Sequence, residues 1–263
     1  MAKYSNFARS RPLSPQVLAE LGALEGLAPP AEPLDPTGAW EQSFRLWAVT
    51  SGKARANVGF VHIRREPAAD GRTVRFFVEK ALALFAGPAY RTSAEIECSA
   101  DALATLRRWR VQAEVLPAEG QGEPLRVCET AELSAGCLRA TRNGLTTVLA
   151  VPEPATCDWV LFDVVQRLPG QATKPLRFAM LEELDMLKPE QRLAFRGTGQ
   201  ITLGERTVRC LRYEQIGRGI LPYQYWVDEG HRLLLAFSHT RAYINDPKVR
   251  ERWPELRRAV AER

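Results

Sequence analysis

The chain has 263 residues, of which 45% are hydrophobic and 25% are charged, the proportions of a globular protein that can bury a sizeable core. Its net charge of +5 arises from 36 basic and 31 acidic residues mixed along the chain, which favours an ion-paired, solvated surface over a nucleic-acid interface. The sequence contains no apolar run of about 18 residues. We therefore expect no transmembrane segment and no nucleic-acid partner.

Residues 1–40 are predicted to form a peripheral segment. The stretch "SPQVLAELGALEGL" indicates a short helix, with Ser14 as its cap and Pro15 in its first turn. A proline-rich tether, "APPAEPLDPTG", follows this helix and is expected to be extended. The start of the chain lacks the apolar centre of a signal peptide. The compartment is therefore either the periplasm, if a signal was removed, or the cytoplasm.

Residues 41–245 alternate between apolar and polar positions, the period of strands whose two faces differ. Four short stretches predict turns between consecutive strands, and two of them, Asp70–Gly71 and Asn143–Gly144, are of the type that favours tight hairpins. The other two are Ser51–Gly52 and Ser99–Ala100–Asp101. The pattern predicts a mainly β domain, namely a large, strongly curved antiparallel sheet that forms a half-barrel.

Two segments interrupt this alternation. Val160 to Leu168 have helical spacing and precede Pro169, which predicts a short helix that crosses an opening of the sheet. In the segment "LEELDMLK", good helix formers make a helix a rival interpretation. The alternation from Phe178 to Met186 favours a strand there.

The end of the chain predicts one more hairpin and a helix. The stretches "YQYWV" and "RLLLAF" are expected to pair around Asp228–Glu229–Gly230, with Tyr223, Tyr225 and Val227 on one face. Residues 246–263 are expected to form a peripheral basic helix, with Asp246 as its cap and Pro247 in its first turn.

The sequence lacks the motifs of several large enzyme classes. It has no Walker loop, no Gly-x-Ser-x-Gly elbow and no complete dinucleotide-binding glycine motif. The five cysteines and three histidines do not have the spacing of a metal site. We therefore expect no bound metal and no cofactor, and we assign no catalytic residue.

An acid–base enzyme is retained as an alternative. Glu182 or Asp185 would supply the carboxylate, and His62 or His239, both expected on strands, would supply the imidazole. This alternative requires at least two of these groups within hydrogen-bond reach in one cleft.

The order of several segments resembles a family of bacterial envelope proteins of unknown function. These segments are "GKARANVGFVHIRRE", "DGRTVRFFVE", "AEIEC", "LRRWRV", "DWVLFDVVQRLP" and, the most specific of them, "YWVDEGHRLL". That family is similar to the lipoprotein-carrier and lipoprotein-receptor fold, a curved antiparallel sheet wrapped around a helix or a lipid. The resemblance covers residues 44–240 and implies no catalytic motif.

A curled sheet with a crossing helix tends to enclose an apolar hollow, which suits a lipid-like ligand. We therefore predict a non-enzymatic, carrier-like binding protein of the cell envelope that holds a lipid or other apolar molecule. A structural protein that docks an envelope partner is a further alternative. The predicted lining of the hollow consists of Trp47, Phe60, Phe76, Trp109, Phe178 and Trp226.

Overall fold

The computed structural model describes residues 12–48, 56–83, 89–117, 123–171, 174–239 and 241–255. Within these ranges, fifteen strands form one sheet, accompanied by helices α1 (Pro15–Glu20) and α2 (Leu161–Arg167). The strands are β1 (Trp40–Ala48), β2 (Ala56–Pro67), β3 (Thr73–Ala83), β4 (Ala89–Ser99), β5 (Leu106–Leu116), β6 (Leu125–Ser134), β7 (Cys137–Arg142), β8 (Leu145–Ala150), β9 (Ala155–Cys157), β10 (Leu176–Glu182), β11 (Met186–Leu203), β12 (Arg206–Ile216), β13 (Tyr223–Asp228), β14 (Leu233–Phe237) and β15 (Arg241–Asn245).

The strand order of the sheet is β8-β7-β6-β5-β4-β3-β2-β1-β15-β14-β13-β12-β11-β10-β9. Every neighbouring pair is antiparallel except β9 and β10, which are parallel. Strands β1 and β15 pair in the middle of the sheet, with Leu46 opposite Tyr243. The two ends of the order are β8 and β9, so the sheet is not closed. This architecture confirms the predicted mainly β fold.

Tight turns occur where the sequence predicted them. Asn143 and Gly144 both have positive φ angles, 47° and 84°, in the hairpin between β7 and β8. Two adjacent residues with positive φ give a turn whose twist matches that of the flanking strands. Gly71, with φ 65°, follows Asp70 in the turn between β2 and β3. The predicted Ser51–Gly52 turn lies outside the described residues.

The sheet curls around helix α2. The edge strand β9 contacts β5, which lies in the opposite half of the strand order, and this contact requires strong curvature. The predicted crossing helix is confirmed, and its Phe162 ring packs against Phe44 of β1 with centroids 4.9 Å apart. We call the buried residues on this concave side the inner core. They include Phe44, Phe76, Trp109, Phe162 and Phe178.

The described parts of the two terminal segments pack on the convex side of the sheet, α1 in a cluster with Trp47 and Trp226, and Trp253 against Phe60. Ser14 caps α1 by accepting a hydrogen bond from the Val17 amide, as predicted. At the other end of the chain, residues 247–252 form turns and helical geometry starts at residue 253. The predicted start of the C-terminal helix at Asp246 is therefore wrong. The Asp246 side chain accepts a hydrogen bond from the Lys248 amide at 3.1 Å within these turns and also pairs with the buried guanidinium of Arg45 at 2.6 Å.

The expected continuous strand from Phe178 to Met186 is also wrong. Strand β10 ends at Glu182, and β11 begins at Met186. Between them, Glu183 and Leu184 adopt positive φ angles of 52° and 61°. These angles are rare for residues other than glycine, and period-two alternation does not reveal them. Burial of Leu184 in the inner core helps to offset the backbone strain.

The edge strand β8 is exposed along its whole length. Its large exposed apolar residues are Leu145, Val148 and Leu149. Among the described residues, neither helix has the length and apolar character needed to cross a bilayer.

Candidate functional site

The candidate site is a cavity of about 230 Å³ beside helix α2 on the concave side of the sheet. Strand β13 contributes Tyr223 and Tyr225, and β15 contributes Arg241 and Tyr243. Each pair is separated by one residue, and alternate residues of a strand share a face. Phe162 of α2 also lines this space. We call this space the tyrosine cavity.

A second, more open cavity of about 440 Å³ adjoins the tyrosine cavity. Trp159, Glu182 and Arg241 line both spaces. The concave side is therefore filled by apolar side chains around α2 but leaves an aromatic and polar hollow at its margin.

The wall of the tyrosine cavity is a connected group of aromatic rings. The centroid of Phe162 lies 5.3 Å from that of Tyr243 and 6.4 Å from that of Tyr225, with the rings edge to face. The rings of Tyr223 and Tyr225 are 5.4 Å apart. Such ring pairs stabilise each other by about 0.5–1.5 kcal/mol beyond the area that they bury. The wall is therefore expected to be rigid.

Charged groups meet at one end of this wall. The Glu183 carboxylate accepts a hydrogen bond from the ammonium of Lys80, and it lies 3.5 Å from the guanidinium of Arg241. Glu182 pairs with Lys188 at 3.4 Å. Asp158 forms no ion pair within the described part of the chain, and its Oδ1 accepts a hydrogen bond from the Glu183 amide at 2.9 Å.

The surroundings of Asp158 disfavour its ionised form. Burial, and then the nearby Glu183 carboxylate, raise the pKa of Asp158 to about 7. Burial also raises the pKa of Tyr223, Tyr225 and Tyr243, which keeps these phenols neutral at pH 7. Near neutral pH, small changes in the environment therefore shift the protonation of Asp158.

Two polar groups in the cavity lining lack a hydrogen-bond partner among the described residues. They are the indole Nε1 of Trp159, a residue that is 1% exposed, and the hydroxyl of Tyr223. By contrast, the Tyr225 hydroxyl donates to Gln215 Oε1 at 2.8 Å. Buried polar groups nearly always have a partner, so an orphaned group in a cavity wall points to a missing one.

The six aromatic residues predicted to line a hollow lie in three separate clusters. Phe76, Trp109 and Phe178 belong to the inner core. On the convex side, Trp47 and Trp226 lie in the core formed with α1, and Phe60 packs against Trp253. The structure does not gather these residues around the tyrosine cavity, and their role in ligand binding stays a prediction.

The residues of the enzyme alternative have separate partners in the structure. His62 Nδ1 lies 2.9 Å from the Ser43 hydroxyl, and Asp185 pairs with Arg142. His239 is exposed in a bend between β14 and β15, so its predicted place on a strand is wrong. Of the two carboxylates, Glu182 lines the tyrosine cavity. Among the described residues, no hydrogen bond or ion pair joins either histidine to Glu182 or Asp185.

Sequence reasoning missed Asp158 and Arg241 as parts of a site. Asp158 lies in the turn before α2, which begins at Leu161, and belongs to no recognisable sequence motif. Arg241 reaches the cavity because β15 pairs with β1, a contact that local patterns do not reveal. The alternation in "YQYWV" did correctly place Tyr223 and Tyr225 on one face.

Comparisons with known proteins give a structural likeness only. No protein-family model and no curated protein matches the chain. Among solved structures, the chain is similar to a beta-barrel-like protein of a domain of unknown function from Brucella abortus. The TM-score is 0.49 at 10% sequence identity, and the match covers 80% of this chain and 96% of that chain. A likeness at this level carries no information about activity.

Proposed function

We propose that the protein is a non-enzymatic binding protein that holds an apolar or amphipathic molecule in the hollow of its curved sheet. The observation that carries this proposal is the tyrosine cavity, with its aromatic wall and the unpartnered groups of Trp159 and Tyr223. Ligand pockets are typically concave and aromatic, with a few polar groups that orient the ligand.

The resemblance of the sequence to the lipoprotein-carrier and lipoprotein-receptor fold supports a lipid-like ligand. In such folds the curved sheet surrounds either a helix or a lipid, and here α2 occupies the centre of the concave side. The ligand would therefore bind beside α2 rather than in its place. The location in the cell envelope and a protein partner there stay predictions from the same resemblance.

The proposal is tested by native mass spectrometry and solvent extraction of the purified protein. We expect a co-purifying apolar molecule in the wild type. The substitution Ile220→Trp should reduce its occupancy at least fivefold, since Ile220 lines the tyrosine cavity and a larger ring would fill it. As a matched control, Leu125→Trp places the same ring at an exposed position on β6 and should leave occupancy unchanged. Equal occupancy in both variants would contradict this site.

A further inference from the structure

The unpartnered groups of the tyrosine cavity are mainly hydrogen-bond donors. The indole of Trp159 can only donate, and the Tyr223 hydroxyl can donate or accept. Arg241 carries five N–H donors; its guanidinium lies 3.5 Å from Glu183 and also donates a hydrogen bond to the Tyr243 hydroxyl. Lys80 also donates to that carboxylate, so Glu183 is shared between two cations. Trp159 and Tyr223 therefore carry hydrogen-bonding groups that the described walls of the cavity leave unsatisfied.

We propose that the tyrosine cavity binds the carboxylate group of an amphipathic organic acid, with Arg241, Tyr223 and Trp159 as donors to its oxygens. This inference rests on the proposed binding function and names the chemical class of the ligand. A guanidinium beside neutral N–H and O–H donors is suited to an anionic oxygen group, because charge-assisted hydrogen bonds are about twice as strong as neutral ones.

The charged groups around the cavity favour a ligand with one negative charge over a ligand with two. Asp158 and Glu182 line the same space as Arg241, and Glu183 lies beside them. A phosphate monoester carries about −1.5 to −2 at neutral pH, so these carboxyl groups would repel it more strongly than a carboxylate. An ammonium group, in turn, has only donors and cannot satisfy Trp159.

The apolar part of the ligand has a matching surface. Phe162, Met180, Ile220 and Leu221 line the tyrosine cavity together with its polar groups. Leu221 is 54% exposed, which places it at the entrance. Each buried methylene group of a ligand contributes about 0.8 kcal/mol, so a chain of about eight carbons provides a measurable affinity.

The protonation of Asp158 makes this binding dependent on pH. A carboxylate ligand adds a negative charge near Asp158 and thereby favours its neutral form. The affinity should fall as the pH rises from 6 to 8, because ionised Asp158 repels the ligand. Among the described residues, the charged and titratable groups that face Asp158 from the surrounding elements are Lys80 of β3, Glu182 of β10, Glu183 of the β10–β11 turn, Tyr223 and Tyr225 of β13, and Arg241 and Tyr243 of β15.

The test is calorimetric titration of the full chain at pH 6.5 with four probes of equal chain length: octanoate, 1-octanol, octylamine and octyl phosphate. We expect octanoate to bind at least tenfold more tightly than each of the other three. Tyr223→Phe should weaken the binding of octanoate by about three- to tenfold and change the affinity for 1-octanol by less than twofold. The control Arg91→Gln removes an exposed arginine that pairs with Glu79 and should keep the preference.

Arg241→Gln should abolish the preference for octanoate while retaining binding of 1-octanol. Equal or tighter binding of 1-octanol, octylamine or octyl phosphate would overturn the carboxylate assignment and leave the proposed binding function standing. An unchanged preference in Arg241→Gln would also overturn it. If none of the four probes binds, the carboxylate assignment fails, and the proposed function is then decided by the native mass spectrometry described above.

Discussion

The carboxyl group of Asp158 accepts a hydrogen bond from the backbone amide of Glu183, at 2.9 Å, and thereby lies beside the Glu183 carboxylate. The hydrogen bond stabilises the ionised form of Asp158, whereas burial and the neighbouring negative charge oppose it. The opposing effects are larger, since the pKa of Asp158 is raised to about 7.

The first prediction concerns the pH dependence of stability. Between about pH 4 and 7, Asp158 is protonated in the folded state and ionised in the unfolded state, so the free energy of unfolding falls as the pH rises. At 1.36 kcal/mol per pKa unit, the loss is at most about 4 kcal/mol. Asp158→Asn should therefore be more stable relative to the wild type at pH 8 than at pH 5.

Urea denaturation at both pH values measures this difference. Asp185→Asn changes an exposed carboxylate in the neighbouring turn and serves as the control. Its stability should change between pH 5 and pH 8 by the same amount as that of the wild type. A stability difference between Asp158→Asn and the wild type that is equal at pH 5 and pH 8 would contradict the raised pKa.

The second prediction compares two tyrosines of β13. Tyr223→Phe removes a buried hydroxyl that has no partner in the described part of the chain, so stability should stay equal or rise by up to about 1 kcal/mol. Tyr225→Phe removes the hydrogen bond to Gln215 and should cost about 1–3 kcal/mol, because the buried Oε1 of Gln215 is left without its donor. The urea midpoints of the two variants, compared with that of the wild type, measure the two changes in stability. A larger loss of stability in Tyr223→Phe than in Tyr225→Phe would show that the Tyr223 hydroxyl has a partner.

The third prediction concerns the attachment of α2 to the sheet. Asp163 is fully buried and lies 2.7 Å from both the Arg65 and the Arg167 guanidinium groups. Asp163→Ala leaves two cations without their buried partner and should cost about 3–5 kcal/mol in unfolding free energy. The exposed pair of Arg126 with Glu114 provides the control, since Glu114→Ala should cost at most about 1 kcal/mol. Similar losses in both variants would argue against a buried pair.

The fourth prediction concerns Phe162, which packs against Phe44, Tyr225 and Tyr243. Phe162→Ala should cost about 3–5 kcal/mol and enlarge the tyrosine cavity, because a packed core collapses only partly. Phe77→Ala, which removes a half-buried ring beneath the Arg64 guanidinium, should cost less than half as much. Thermal unfolding of the two variants measures the contrast, and a smaller loss in Phe162→Ala would contradict the central position of α2.

The parts of the fold that depend on neighbouring residues could be predicted from the sequence. The turns at Asp70–Gly71 and Asn143–Gly144, the cap at Ser14 and the helix before Pro169 all follow from local backbone preferences. The turn at Glu183 and Leu184 could not be predicted. Its unfavourable φ angles are offset by burial of Leu184 in the inner core, which is formed by residues that are distant in the sequence.

The candidate site was harder to predict because its residues come from separate parts of the chain. The shared face of Tyr223 and Tyr225 follows from alternation within one strand. The meeting of Asp158 and Arg241 in one cavity depends on how far the sheet curls and on the pairing of β1 with β15. A single sequence contains no direct sign of either property.

The pairing of β1 with β15 also has a consequence for the synthesis of the protein. Leu46 and Tyr243 face each other across this seam although they are about two hundred residues apart, and contacts this distant in sequence form slowly. Until the ribosome has released β15, the corresponding edge of β1 has no strand beside it, and Arg241 and Tyr243 are not in place. A nascent chain can thus pair β1 to β8 before β15 has been synthesised, whereas the tyrosine cavity can form only after β15 has joined the sheet.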